Sequence, residues 1–329
     1  MSANALPSEG KMRAIVQDRY GSPDLLELRE IEKPVVGDDR VLVRVLSASV
    51  NAADWHLMRR LPHVIGMLLR MPMSRIRGGD LAGRVEAVGK NVARFKPGDE
   101  VFGVGIGTFA EYTTTFEDRL ALKPSNLTFE QAAAIPIAGC TALQGLRDNS
   151  HVLPGQRVLI YGAGGGVGTF AVQIAKSLGA HVTAVTNSEN VDLLHSIGAD
   201  EVIDYAREDF TRRADRYDVL FDIGANRTYA DCRRVLAPNG KLVLCGAPSG
   251  LWAQLSRLLK TQLRPRTASQ RIAFLARVRH EHLIVLKEFA EAGKLSPVID
   301  RQYPLNEVPD ALRYLGAGHA RGKVVINVA

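Results

Sequence analysis

The stretch RVLIYGAGGGVGTFAVQIAKSLGA, residues 157–180, constrains this chain more than any other. An apolar run, Val158 to Tyr161, leads into Gly162, Gly164, Gly165, Gly166 and Gly168 and then into a helical pattern. Val167, Phe170, Ala171, Ile174, Ala175 and Leu178 recur at i, i+3, i+4, i+7, i+8 and i+11, so one helix face packs and Gly179 closes the helix. A strand that turns through glycines into a helix gathers free backbone amides and the positive end of the helix dipole at one point. Glycines also let the main chain approach a pyrophosphate closely. The spacing is GxxGxxG through Gly162, Gly165 and Gly168, and Ala163 stands at the first glycine of a strict GxGxxG. A merely structural glycine turn accounts for the glycines alone; strand, glycines, helix and following strand together predict a dinucleotide site.

Around this motif, VLIY, HVTAV, EVIDY, DVLFDI and KLVLCG alternate with helix-periodic segments, the pattern of a doubly wound parallel sheet of the α/β class. The first third reads differently, with KMRAIVQ, LELREI and RVLVRVLSASV as β segments between Gly, Pro and Asp turns. After an amphipathic helix expected from about 270 to 292, PVID, a PLNEVPDALRYLG helix and the strand KVVINV look like a return to the first domain. The expected organisation is therefore a tail over 1–10, a β-rich domain over 11–127, a cofactor domain over 128–297 and a return over 298–329.

With 329 residues, 46% hydrophobic and 23% charged, the chain can bury two cores, which excludes general disorder. No apolar run reaches about 18 residues and MSANALPSEG has no apolar h-region, so neither a membrane span nor a signal peptide is expected, and the default location is cytoplasmic. Cys140, Cys232 and Cys245 lie too far apart for a disulfide framework or a CxxC zinc site. The net charge of +7 permits anionic partners, but the one basic stretch, Arg257 to His282, lacks interleaved stacking aromatics. It reads as a solvated helical face, and nucleic acid is not a favoured partner.

The choice of nicotinamide depends on the end of the second strand of the parallel sheet, where NAD sites usually hold an acid for the ribose hydroxyls. Here that position is Thr186. Thr186, Asn187 and Ser188 can hydrogen-bond a 2′-phosphate, and Tyr205 at the end of the next strand can reach it, which favours NADPH. Glu189 opposes this, since a carboxylate about 4 Å from a phosphate charge costs about 4 kcal/mol at an effective dielectric of about 20. Solvent lessens that penalty, and the site is then open to NADH as well.

The motifs SVNAADWH, GGDLAGRVEAVGKNVARFKPGDEVFG, GTFAEY, AAAIPIAGCTALQGL, GADEVIDY, RRVLAPNGKLVLCG and GHARGKVVI are collinear with GAGGGVGTFAVQIAK over nearly the whole chain. In them the chain resembles the medium-chain dehydrogenase/reductase superfamily, in its zinc-free, zeta-crystallin-like quinone oxidoreductase branch. The resemblance implies a GroES-like catalytic domain with an inserted Rossmann domain, and a cleft between them for nicotinamide and substrate. Zinc-dependent relatives carry Cys, a His in GHE and a later Cys as metal ligands. The aligned positions here are Asn51, Gly79 and Ile137, with Cys140 beside the third, and the four-cysteine structural zinc lobe is missing. No zinc is expected.

Without a metal, the chemistry implied is hydride transfer to a quinone or an α,β-unsaturated carbonyl, with hydrogen-bond donors stabilising the negative charge that develops on oxygen. Asn51 and His56 are the candidate catalytic residues, the amide as a donor to a carbonyl and the imidazole as a donor of a hydrogen bond or proton. A single histidine is more often structural. Asp54, in the NxxD segment and also suited to a capping role, and Thr141, in GCTAL, resemble residues that line the nicotinamide pocket. Lys323 in GHARGK resembles a residue near the cofactor phosphates, and a lysine there is as readily solvated. Met58, Met67, Met71 and Met73 suit either a promiscuous apolar pocket or core packing. The resemblance further implies a homodimer through the Rossmann sheet edge at KLVLCG. A second reading is a cofactor-binding protein with little catalysis that acts through a protein or RNA partner at the basic stretch.

Overall fold

The computed structural model describes residues 10–59, 76–224, 227–245 and 270–328. In chain order the strands are β1 (Lys11–Gln17), β2 (Leu26–Glu32), β3 (Val41–Val50), β4 (Asp80–Val88), β5 (Glu100–Val104), β6 (Tyr112–Thr115), β7 (Leu120–Leu122), β8 (Arg157–Tyr161), β9 (His181–Thr186), β10 (Glu201–Asp204), β11 (Tyr217–Asp222), β12 (Leu236–Leu244), β13 (Gln270–Ala273), β14 (Ile299–Pro304) and β15 (Lys323–Asn327). Two compact units result, Met1–Ile137 with Val278–Ala329, and Ala138–Arg277. The inserted unit thus runs over 138–277 where the sequence suggested 128–297. Hydrogen bonds account for the difference at the later boundary: the His280–Glu291 helix is tied to the first unit by His280 Nδ1 and Leu120 O at 2.7 Å, Asn126 Nδ2 donating to Ala290 O at 2.8 Å, and Ser125 N donating to Glu291 Oε1 at 3.0 Å.

In the first unit β1 and β2 form an antiparallel pair, and a seven-stranded sheet runs β14-β15-β3-β4-β5-β7 with β6 also paired to β3. Its strands are rich in valine, whose branched side chains fit a pleated buried surface. Val43, Val45, Val85, Val101, Val324 and Ile326 share one core with Phe109 and Leu312. Each such side chain contributes about 1.5–3 kcal/mol on burial. The returning strand matters most for the site, because β15 lies antiparallel on β3 with Val324 opposite Val50, and Lys323 therefore comes beside Asn51.

The second unit is a six-stranded sheet in the order β10-β9-β8-β11-β12-β13, with every ladder parallel. The strand order reverses between β8 and β11, and in such sheets ligands bind outside the carboxyl ends of the strands at that point. Two expectations are corrected. Residues 270–273 form β13, and the helix spans only His280–Glu291, because Gln270–Ala273 find a parallel ladder on Lys241–Leu244. For the same reason β12, which carries KLVL, is not the sheet edge expected to mediate a dimer: β13 covers it.

Met58 is fully buried in the Ala52–Arg59 helix as part of the core, whereas Met67, Met71 and Met73 lie outside the described residues, as do residues 257–269 of the basic stretch. Cys140, Cys232 and Cys245 form no disulfide. Burial, with the nearby Asp222 charge adding to it, pushes the Cys245 thiol up to about 12, so it stays protonated and inert. No described helix is long and apolar enough to cross a membrane.

Candidate active site

Strand β8 ends at Tyr161, and Gly162 turns the chain with φ +87°, a left-handed conformation that a β-carbon disfavours. Gly165 is the N-cap of the Gly166–Ser177 helix, and the first intrahelical bond runs from Thr169 N to Gly165 O at 3.0 Å. The amides of Gly166, Val167 and Gly168 precede it and point out of the helix end, as an anion cradle requires. Two glycines are held by contact rather than by dihedral angle. A β-carbon on Gly168 would stand 2.3 Å from Gly162 O and 2.4 Å from Ala163 O, and one on Gly164 would stand 2.6 Å from Asn190 Nδ2 and 2.8 Å from Thr186 Oγ1. These approaches press the helix and the β9 loop against the turn, so the close backbone cradle of a pyrophosphate fits here.

The expected helix face is the buried one: Phe170, Ala171, Ile174 and Ala175 are fully buried, and Val167 and Leu178 at the two ends are half-buried. Gly179 (φ +82°) closes the helix in a Schellman arrangement, with Ala180 N donating to Ala175 O at 3.1 Å and Gly179 N donating to Lys176 O at 2.9 Å.

Beyond β9 the loop residues are unequally placed. Thr186 is buried, while Ser188 and Tyr205 are exposed. Asn187 Oδ1 accepts from Asn190 Nδ2 at 2.6 Å, and the buried Asn190 Oδ1 has no partner among the described residues. An orphaned buried acceptor beside Gly164 is the kind of group a ligand satisfies. Ser188 Oγ donates to Asp204 Oδ2 at 2.5 Å.

In the first unit the structure brings together Asn51, Asp54 and Lys323, which sequence reasoning had placed in three different roles. Lys323, only 3% exposed, donates from Nζ to Asn51 Oδ1 at 2.7 Å, to Val50 O at 3.3 Å and to Asp80 Oδ2 at 3.3 Å. A lysine only donates, so Asn51 must turn Oδ1 toward it and its amide nitrogen away. That nitrogen donates to Asp80 Oδ2 at 2.8 Å and makes a longer contact to Ser49 O at 3.4 Å. Ser49 Oγ also donates to Asp80 Oδ2 at 2.7 Å, and Ile137 N donates to Oδ1 at 2.9 Å, so the fully buried Asp80 carboxylate is saturated.

Asp54 caps the Ala52–Arg59 helix by accepting from Asn51 N at 2.8 Å through Oδ2, the reciprocal arm of a capping box. Burial is the main cause that pushes its carboxyl up to about 7; the Asn51 amide, Lys323 and Arg77 oppose the shift, and the Asp80 charge adds to it. His56, two residues on, is exposed on the other side of this helix and does not join the cluster. Thr141 is buried in the Pro136–Leu143 helix of the second unit's boundary.

Asp80 and Ser49 were missed in the sequence. The available signal was an acid at the head of the apolar strand segment GGDLAG, since a carboxylate buried there needs a cation.

Comparison with known proteins bears on the same residues. Residues 37–125 match the family described as alcohol dehydrogenase GroES-like domain, and residues 197–326 match zinc-binding dehydrogenase. The chain is 35% identical to the 2-methylene-furan-3-one reductase of Solanum lycopersicum, covering 98% of this chain and 80% of the relative. It is 34% identical to the chloroplastic NADPH-dependent alkenal/one oxidoreductase of Arabidopsis thaliana, with the same coverage of both chains. The solved quinone oxidoreductase from Coxiella burnetii superposes with a TM-score of 0.85 at 30% identity, covering 97% of this chain and 100% of that one. The chain belongs to the quinone oxidoreductase branch of the medium-chain dehydrogenase/reductase superfamily.

The zinc in one of those descriptions does not fit the residues present. Gly79 and Ile137 offer no ligating side-chain atom, and Asn51 Oδ1 faces the Lys323 ammonium. Among the described residues no group of three or more His, Cys, Asp or Glu stands close enough to hold a metal ion. For this member of the quinone oxidoreductase branch, the buried cation beside Asn51 is a lysine.

Proposed function

We propose that this protein is a zinc-independent NAD(P)H-dependent reductase of quinones or α,β-unsaturated carbonyls, with NADPH the favoured cofactor. The observation that carries the reading is the glycine turn at the switch point of a parallel sheet, with Gly168 seated 2.3 Å in β-carbon terms from Gly162 O. Reductases of alkenals, enones and quinones among the relatives support it, and one is named as NADPH-dependent. The reading through a protein or RNA partner has no comparable support.

Bound nicotinamide supplies the hydride. The amides of Gly166, Val167 and Gly168 would hold its pyrophosphate, and Thr186 and Asn187 would meet its adenosine end. Of the two hydrogens on Asn51 Nδ2, one is committed to Asp80 at 2.8 Å, while the other has only the 3.4 Å contact to Ser49 O. That second hydrogen is the one available to an acceptor oxygen on which charge develops. Lys323 fixes the orientation of the amide. Asp54, with Oδ2 occupied by the Asn51 amide and its carboxyl pushed up to about 7, is divided about evenly between its acid and carboxylate forms at neutral pH, and Oδ1 is the oxygen left to carry the proton. His56, exposed, has the weaker claim to a proton-donating role.

Replacing Asn51 with Ala tests this assignment: kcat for an enone or quinone is expected to fall about 10²-fold, with cofactor affinity little changed. An unchanged kcat would remove Asn51 from the chemistry. We further propose a cytoplasmic homodimer, for which sedimentation equilibrium at working concentration should give twice the chain mass; a monomer would overturn that part.

A further inference from the structure

Resting on the cofactor reading above, we propose that Asp204 is a cofactor-selecting residue that holds back binding of the 2′-phosphate, so that NADH serves alongside NADPH. The acid that NAD-binding folds usually place at the end of the second strand is absent here, since β9 ends in Thr186. The next strand supplies one instead. Asp204, the last residue of β10, is the lateral partner of Thr186 in the parallel ladder, and Tyr205 N donates to Thr186 O at 2.9 Å. The Asp204 carboxylate therefore lies against the loop expected to receive the ribose, and Ser188 Oγ reaches it at 2.5 Å.

Two consequences follow from elementary hydrogen-bond chemistry. Ser188 has a single hydroxyl hydrogen, and while that hydrogen is donated to Asp204 it cannot be donated to a phosphate. A carboxylate accepts a ribose hydroxyl but repels a phosphate dianion. Asp204 is kept ionised, its carboxyl held below the usual range by the Ser188 hydroxyl, the Ala206 amide at 3.0 Å and Arg207. The other charges at this corner are Glu189, exposed on the same loop, and Arg207, whose Nε stands 3.4 Å from Asp204 and whose side chain is 82% exposed. Arg207 offsets part of the repulsion, which is why the expected outcome is dual use rather than exclusion of NADPH.

The test is the pair of dissociation constants for NADPH and NADH, measured by titration calorimetry on the full chain. Wild-type protein should bind both within about tenfold of each other, and Asp204→Asn should shift the ratio toward NADPH by about tenfold or more, the change that about 1.4 kcal/mol produces. Ser188→Ala, which leaves the carboxylate in place with one acceptor freed, should leave the ratio unchanged or move it toward NADH. Opposite or unequal responses of the two variants in this sense support the selecting role. A ratio unmoved by Asp204→Asn, or a wild-type preference for NADPH beyond about a hundredfold, overturns it. Failure of wild-type protein to bind either cofactor would instead sink the underlying cofactor reading.

Discussion

Asp80 and Lys323 form a buried pair of opposite charges, and each is costly to the fold if left alone. Their charges meet at 3.3 Å with side chains 0% and 3% exposed. Breaking a buried pair from one side costs about 3–5 kcal/mol, because the remaining charge is uncompensated. Lys323→Met should destabilise the protein by that amount in urea unfolding, and adding Asp80→Asn should restore part of the loss; a double variant no more stable than the single one would contradict the pairing. Asp54 makes a second prediction. An unfolded chain releases this proton near its ordinary value of 3.8, whereas the folded chain holds it until about 7. Between those values the unfolded state binds fewer protons, so stability falls as pH rises through the window, by up to about 4 kcal/mol, and levels off above it. Asp54→Asn should abolish this slope, and a slope that survives the substitution would show that another group titrates. At this scale the sequence was legible where backbone conformation or close backbone approach dictates residue type, as at Gly162 and Gly168. It was opaque at Asp80, because the cation that explains a buried acid arrives from a strand 243 residues away.

The elements were more legible than their boundaries. The Gly166–Ser177 helix follows from its 3.6-residue apolar period and its glycine stop, both local signals. Phe170, fully buried on its packed face, should cost about 3–5 kcal/mol when cut to Ala, and Gly179→Ala about 1 kcal/mol, because φ there is +82°. Thermal or urea unfolding checks both, and a cost for Gly179→Ala as large as that for Phe170→Ala would mean that the turn, not the packing, holds the helix. Strand β13 was read as helix because a four-residue segment carries too little period to separate the two. Its state is decided by the ladder it finds on β12 rather than by its own residues.

For the whole molecule, the collinear motifs made the two-part organisation readable, while the positions where the chain passes between units were not. Residues 278–297 belong with the first unit because the His280–Glu291 helix bonds to Leu120, Ser125 and Asn126, and contacts so distant in sequence leave no local pattern. The same holds for Lys323, which is brought to Asn51 only by the returning β15. The reaction proposed for this scaffold is reduction of a conjugated acceptor without a metal. The most direct measurement is oxidation of NADPH and, separately, NADH by purified protein against ortho-quinones, para-quinones, enones and alkenals, before and after prolonged treatment with a strong zinc chelator. Turnover is expected with at least one of these acceptors, at a rate unaffected by the chelator. Tight cofactor binding with no turnover on any acceptor, or activity lost to the chelator and restored by zinc, would contradict it.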